Sequence, residues 1–168
     1  PQLATEVIGR ILGDPAGYPV FESNEDNAAL VFPGDEEWME PWTSTFRSIG
    51  DNRMAKPLVD SLLSFDDPRL AYYADTTADG TYAGLEVGEE GLEKSKPGPL
   101  FIDNPSGAVK FLTYSEIQFI RAEAGARGLV TLDAGQAYEE GIAASMKEYG
   151  IDESEITAYL EGPKVAWN

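Results

Sequence analysis

Residues 112–150 constrain the fold more than any other stretch. They open on Leu112-Thr113-Tyr114-Ser115-Glu116 and close on Gly150, with Gly128-Leu129-Val130-Thr131 between two periodic segments. Thr113 with Glu116 three residues on forms a capping box, in which each side chain satisfies a free backbone N–H at a helix start. Leu112 and Ile117 occupy the two positions of a hydrophobic staple around that cap. After the break, Ala134, Ala137, Tyr138, Gly141, Ile142, Ser145, Met146 and Tyr149 recur at helical spacing on one face. Asp133, Gln136, Glu139, Glu140, Lys147 and Glu148 fall on the other. The small residues Ala134, Ala137 and Gly141 admit a close neighbour, and the short connection favours two antiparallel helices. The first helix carries two apolar stripes, Tyr114/Ile117/Ile120/Ala124 and Phe119/Ala122/Ala126, and is expected to pack between two partners. In length and pattern the pair is close to a tetratricopeptide unit of roughly 34 residues. An ordinary helical hairpin satisfies the same periodicity.

The rest of the chain reads as helices separated by long irregular stretches. Residues 2–12 form a helix with the stripe Leu3, Val7, Ile8, Ile11 and Leu12, stopped by Gly13 and Pro15. That stripe starts without a polar cap. It is expected to need a partner helix, as in an internal piece of a larger protein; a complete small domain with Pro1 at the first helical position is the other reading. Ala29-Leu30-Val31-Phe32 is a short apolar run expected to be extended and buried. Glu36-Glu37-Trp38-Met39-Glu40-Pro41-Trp42 places two tryptophans in a proline-broken loop. Residues 54–63 form a helix with Met54, Leu58, Leu62 and Leu63 on one face and Pro57 in its first turn. Leu70-Ala71-Tyr72-Tyr73-Ala74 reads as a short strand. Residues 75–110 are irregular, and a loop of that length is usually functional or mobile. A last helix follows Gly150, with Ile151 and Ile156 as a staple and Asp152 with Glu155 as a box-like cap.

Composition removes several functions. The chain has no cysteine and no histidine, so thiolate chemistry, disulfides and imidazole acid–base catalysis are excluded. A net charge of −18 repels nucleic-acid phosphates and anionic lipid surfaces. No apolar run reaches the roughly 18 residues that a membrane-spanning helix needs. Carboxylates abound, but Glu36/Glu37 and Asp66/Asp67 are neighbours along the chain, not a pair facing each other across a sugar. Asp75-x-x-x-Asp79-Gly80 and Ser23-Asn24-Glu25-Asp26-Asn27 offer the oxygen ligands that calcium takes, though neither matches the EF-hand loop, and turn chemistry accounts for both. No other cofactor is expected. Ser115, Ser145 and Thr113 lack an activating base.

What remains is aromatic. Trp38, Trp42, Phe46, Tyr72, Tyr73 and Tyr82 lie in or beside irregular segments. Sugar rings present apolar C–H faces that stack on such planes, while Asn24, Asn27, Arg47, Asn52 and Arg53 can hydrogen-bond hydroxyls. Aromatics also fill the core beneath long loops. Tyr72 and Tyr73 read as core, and for Trp38 and Trp42 both readings are open. Candidate ligand-binding residues are therefore Trp38, Trp42, Phe46, Arg47 and Tyr82. Asp67-Pro68-Arg69 reads as structural.

The ordered set Phe21-Glu22-Ser23-Asn24-Glu25-Asp26-Asn27-Ala28, Asp67-Pro68-Arg69-Leu70, Tyr82-Ala83-Gly84-Leu85, Leu112-Thr113-Tyr114-Ser115-Glu116-Ile117 and Ala137-Tyr138 to Gly141-Ile142-Ala143-Ala144-Ser145-Met146 resembles the SusD/RagB family. The resemblance implies a mostly α fold. Residues 1–168 would be a single, partial SusD-like domain, a tetratricopeptide-like hairpin scaffold with its core at 113–149 and long irregular loops. It implies a non-enzymatic nutrient-binding protein on the surface of the outer membrane of Bacteroidota, held by a lipid anchor outside this chain. Such a protein passes oligosaccharide, or peptide, to a TonB-dependent transporter of the SusC/RagA type. A tetratricopeptide-like adaptor for protein segments is the alternative, and a hydrolase a third.

Overall fold

The computed structural model describes residues 2–167. The elements follow in the order α1 (Gln2–Gly13), a 3₁₀ turn (Asn24–Asp26), β1 (Ala28–Val31), α2 (Pro41–Ser48), α3 (Lys56–Ser64), α4 (Leu70–Tyr73), α5 (Pro99–Ile102), β2 (Ala108–Leu112), α6 (Tyr114–Ala126), α7 (Ala134–Lys147) and α8 (Glu153–Leu160). The fold is mostly α, as expected. β1 and β2 pair into a two-stranded sheet. The chain divides into two compact units: one ends at Ala29 and resumes at Lys110, and the other spans Leu30–Val109. No helix among the described residues is long and apolar enough to cross a membrane.

The first unit is built on the α6–α7 hairpin. Thr113 Oγ1 accepts the Glu116 N–H at 3.2 Å, and Glu116 Oε2 accepts the Thr113 N–H at 3.0 Å, so the capping box is complete. Thr113→Ala is expected to cost about 1 kcal/mol, as lost N-caps do, read as a lower denaturation midpoint. At the other end Gly128, at φ +63°, closes a Schellman motif: Leu129 N–H reaches Ala124 O and Gly128 N–H reaches Gly125 O, both at 2.9 Å. Contacts then run in opposite directions along the two helices. Ser115 Oγ donates to Gly141 O at 2.7 Å, Phe119 lies against Gly141, and Gly125 meets Ala134. The helices are therefore antiparallel. A Cβ at Gly141 would stand 3.0–3.2 Å from the Phe119 ring, so a larger residue there would have to push the ring back by a few tenths of an ångström.

The α6 stripes differ from expectation. Its buried positions are Ser115, Gln118, Ala122 and Ala124, whereas Phe119, Ile120 and Ala126 are exposed. Close approach favours small side chains and pushes the large apolar ones to the flanks. Gln118 is only 1% exposed, and its amide nitrogen and oxygen find no partner among the described residues. A buried unpaired amide costs roughly 1–3 kcal/mol. Gln118→Met, which keeps the shape, is expected to raise stability by about 1 kcal/mol on that principle; a fall in the urea midpoint would show that the amide is paired in solution.

On the expected face of α7, Ala137, Gly141, Ile142 and Met146 are buried, joined by Ala144, while Ala134, Tyr138, Ser145 and Tyr149 are half-buried. Glu148, expected to point away, is mostly covered instead: it accepts from Asn27 Nδ2 at 2.8 Å and pairs with Lys110. Asn27 Oδ1 also takes the free Tyr114 N–H at 2.7 Å, and Asn24 Nδ2 donates to Ala144 O at 2.9 Å. The polar run 23–27 is thus a staple onto the hairpin. In α8, Ile151 and Ile156 are buried, but Asp152 makes no side-chain cap, so burial rather than a capping box holds this helix. No residue of α1 is buried; Val7, Ile8, Ile11 and Leu12 are half-buried.

The second unit centres on Met54, Val59, Leu70 and Ala74, with Leu62, Tyr73, Tyr82 and Phe101 packed around them. α3 starts at Lys56 with Pro57 in its first turn, and its buried residue is Val59; Leu58 and Leu63, expected inside, are exposed. The helix ends in a Schellman motif with Asp66 in the left-handed region, φ +53°. Asp67 N–H reaches Leu62 O at 2.9 Å. This delivers Asp67 inward, where Arg69 Nε donates to Oδ1 at 2.9 Å and a terminal nitrogen to Oδ2 at 2.5 Å. Leu70–Tyr73 is consequently one helical turn and not a strand; only Ala74 is extended, bridging to Pro97. Of the run 29–32, Ala29, Leu30 and Val31 are extended in β1 as expected but exposed, not buried, and Phe32 is half-buried. Gly84 sits where a Cβ would fall 2.3 Å from Lys56 Cα, beside the Ala55–Leu85 bridge.

Candidate functional site

The second unit gathers aromatic rings on α2. Glu40 precedes that helix, and its buried carboxylate accepts the Thr43 N–H at 2.8 Å; Pro41 follows at the first helical position. Trp42 is therefore helical, not in a loop as its proline-rich context implies. Trp42 and Phe46 are four residues apart and lie one above the other on the helix surface. Their rings stack with centroids 5.5 Å apart and planes 14° from parallel. Phe101, from α5, stands edge-on to both, 6.4 Å from Trp42 and 5.8 Å from Phe46. Tyr73 lies 6.2 Å from Phe101 and joins the stack to the core of the unit. Trp42 remains 57% exposed with one face on Phe46, which leaves its other face to solvent.

Arg47 lies next to Phe46. Its Nε donates to Ile102 O at 2.8 Å and a terminal nitrogen to Asp103 Oδ1 at 3.2 Å; the other terminal nitrogen is 3.9 Å from Met39 Sδ. Trp38 lies in the turn before α2. Asp35 Oδ1 takes its N–H at 2.7 Å, and the ring is 59% exposed. Tyr82 packs on the Met54–Val59–Leu70–Ala74 core instead of joining the stack. The structure thus stacks Trp42 on Phe46, turns Arg47 to Ile102 and Asp103, sets Trp38 on the adjoining turn, and puts Tyr82 elsewhere in the unit.

The other polar candidates have structural duties. Arg53 clamps its own loop, donating to Leu92 O at 3.0 and 2.6 Å and to Gly50 O at 3.0 Å. Asn52 caps Ile49 O at 3.1 Å. Asn24 and Asn27 belong to the staple on the hairpin. In the 75–80 loop, Asp79 is engaged by Thr77 and by Thr81 Oγ1, the latter at 2.9 Å; these hydroxyls, Thr77 first, hold its carboxyl below the usual range. Asp26 completes a capping box with Ser23. No group of three or more metal-ligating side chains forms among the described residues.

Phe101 and Asp103 escaped the sequence reading. The usable signal was Gly98-Pro99, a proline at the first helical position within the irregular stretch. A concavity of ≈ 380 Å³ lies in the hairpin unit. Glu22, Glu25, Glu140 and Lys147 line it with one ring, Tyr114.

The family model described as SusD-like, "Starch-binding associating with outer membrane", matches residues 1–168. The chain belongs to the SusD-like family. Solved SusD-like structures share the fold. A SusD homolog from Bacteroides fragilis is 24% identical with a TM-score of 0.76, covering 99% of this chain and 46% of its own. A Bacteroides vulgatus structure, provisionally described as an outer-membrane protein involved in nutrient binding, is 23% identical with a TM-score of 0.83, covering 98% and 42%. A chitin-binding SusD homolog from Flavobacterium johnsoniae is 24% identical with a TM-score of 0.71, covering 95% and 35%. At these identities the likeness concerns the fold alone. The chain spans less than half the length of these SusD-like structures. No curated protein matches it.

Proposed function

We propose that this chain is part of a non-enzymatic, surface-exposed SusD-like protein that captures glycan and delivers oligosaccharide to a TonB-dependent outer-membrane transporter, held at the membrane by a lipid anchor outside this chain. The observation that carries the reading is the exposed face of Trp42, backed by Phe46 and Phe101. A rigid indole keeps little conformational entropy to lose and offers an apolar plane to the C–H face of a sugar. Arg47, elsewhere on the same short helix, pairs with Asp103, and Trp38 adds an exposed ring on the adjoining turn. Capture and release need no covalent step. The family's description as starch-binding and the chitin-binding relative support a glycan as the ligand class.

The acidic concavity on the hairpin favours a second reading, the tetratricopeptide-like adaptor that takes a protein segment. Titrating intrinsic tryptophan fluorescence with a panel of oligosaccharides separates the two. Glycan capture predicts a saturable change from at least one sugar. No response to any sugar, together with peptide binding, would favour the adaptor.

A further inference from the structure

We infer that the concavity of the hairpin unit is a docking pocket for a lysine or arginine side chain presented by a protein segment. This rests on the adaptor reading of that concavity, names its ligand, and stands apart from the Trp42 platform in the other unit. Tyr114 from the start of α6, with Ala143 and Ala144 from α7, gives the wall apolar surface, and Glu22, Glu25 and Glu140 put three carboxylates around it. The one ammonium there, Lys147, is drawn to Glu153 at 3.1 Å. Glu22 and Glu25 are exposed; their N–H groups are used by Asp26 and Ser23, but neither carboxylate has a partner among the described residues. Glu140 Oε1 accepts from Gln136 Nε2 at 2.8 Å, which leaves Oε2. Asn24, also in the wall, adds to the same sign: its buried Oδ1 has no donor among the described residues. α7 ends here, at Lys147, with the partial negative charge of a helix C-terminus. The opposite partial charge, at the start of α6, is already met by Asn27 Oδ1 and Glu116.

Charge complementarity selects a cation. A metal ion needs ligands that converge, and no group of three or more such side chains does so among the described residues. The carboxylates are instead spread around a space of ≈ 380 Å³, at the small end of the roughly 300–1,000 Å³ of ligand pockets. A long side chain with a cationic tip matches both properties. Its methylene stem lies on apolar surface while its head keeps to water and carboxylates, and an aromatic ring such as Tyr114 attracts a cation to its face. A free amine would fill the place of the cation alone. A segment also brings backbone N–H groups, for which the unpaired oxygens of Glu22 and Glu25 are acceptors. The net charge of −18 draws a basic segment in from solution.

The test is an NMR titration of the isotope-labelled chain with a blocked pentapeptide carrying one central lysine, its norleucine and glutamate counterparts, and n-butylammonium. The lysine peptide is expected to move the amide signals of Ala143, Ala144 and Lys147 saturably. It should bind about fivefold more tightly than the norleucine peptide, the scale of one exposed charge contact, and the glutamate peptide should give no saturable shift. Glu22→Gln combined with Glu25→Gln is expected to remove most of that preference, and about 1 M salt to screen it. Both carboxylates are unpaired, so the double variant keeps the wild-type urea midpoint. A lysine peptide bound no more tightly than norleucine, or a preference untouched by the double variant, overturns the inference and leaves the adaptor reading standing. Shifts scattered over the acidic surface instead of gathered at the concavity overturn it too, as does n-butylammonium bound as tightly as the peptide, which makes the ligand a free amine. If no peptide of any charge moves these signals, the adaptor reading and the inference fall together.

Discussion

Trp42→Ala is expected to weaken oligosaccharide binding by roughly 30-fold or more, because a central aromatic anchor is typically worth at least about 2 kcal/mol. Trp42 is the most exposed ring of the stack, with Phe46 against one side and Phe101 edge-on. Stability should suffer much less. An exposed ring gives up little buried area, and a stacked aromatic pair is worth about 0.5–1.5 kcal/mol. Calorimetry beside a denaturation curve therefore separates the two losses. Trp38→Ala, on the adjoining turn, is expected to have a smaller effect. Equal losses from both tryptophans would mean that the ligand spans the turn and the helix.

The largest expected loss of stability comes from Arg69→Ala. Asp67 is driven inward by the Schellman turn at Asp66, and its buried carboxylate is held by the Arg69 side chain and N–H. Removing one member of a buried pair leaves an uncompensated charge and costs about 3–5 kcal/mol. The Arg69 N–H survives the substitution, so about 3 kcal/mol is expected on that scale, seen as a fall in the urea midpoint. The double variant Asp67→Ala, Arg69→Ala should recover part of it, because no buried charge then remains. A single variant as stable as the wild type would show that the pair contributes nothing.

The parts of this fold that could be read from sequence are those held by neighbours along the chain. The Thr113–Glu116 box, the Gly128 stop and the α7 face depend on contacts within a few residues. The run Leu70–Ala74 looked like a strand because tyrosine favours extended structure. Asp67 overrode that preference, since its carbonyl and the residues after it begin a helical turn. The α6 stripes failed for a different reason. Hydrophobicity predicts the burial of Ala122 and Ala124, but the hairpin also buries Ser115 and Gln118 and leaves Phe119, Ile120 and Ala126 exposed. The candidate site divides in the same way. Trp42 over Phe46 is a local i,i+4 pairing, implicit once Pro41 is seen to start a helix. Phe101 and Asp103 reach the stack only through tertiary folding of a distant segment, and no local pattern announces that meeting. Asn27 shows the same limit: its polar surroundings suggested a loop open to ligand, and the hairpin uses it to cap Tyr114 and hold Glu148.

A crystal of the chain soaked with the oligosaccharide that gives the strongest fluorescence response puts the central claim to its most direct test. The expected result is a sugar ring lying flat on the open face of Trp42. Sugar bound in the acidic concavity beside Tyr114, with the Trp42 face bare, would contradict it.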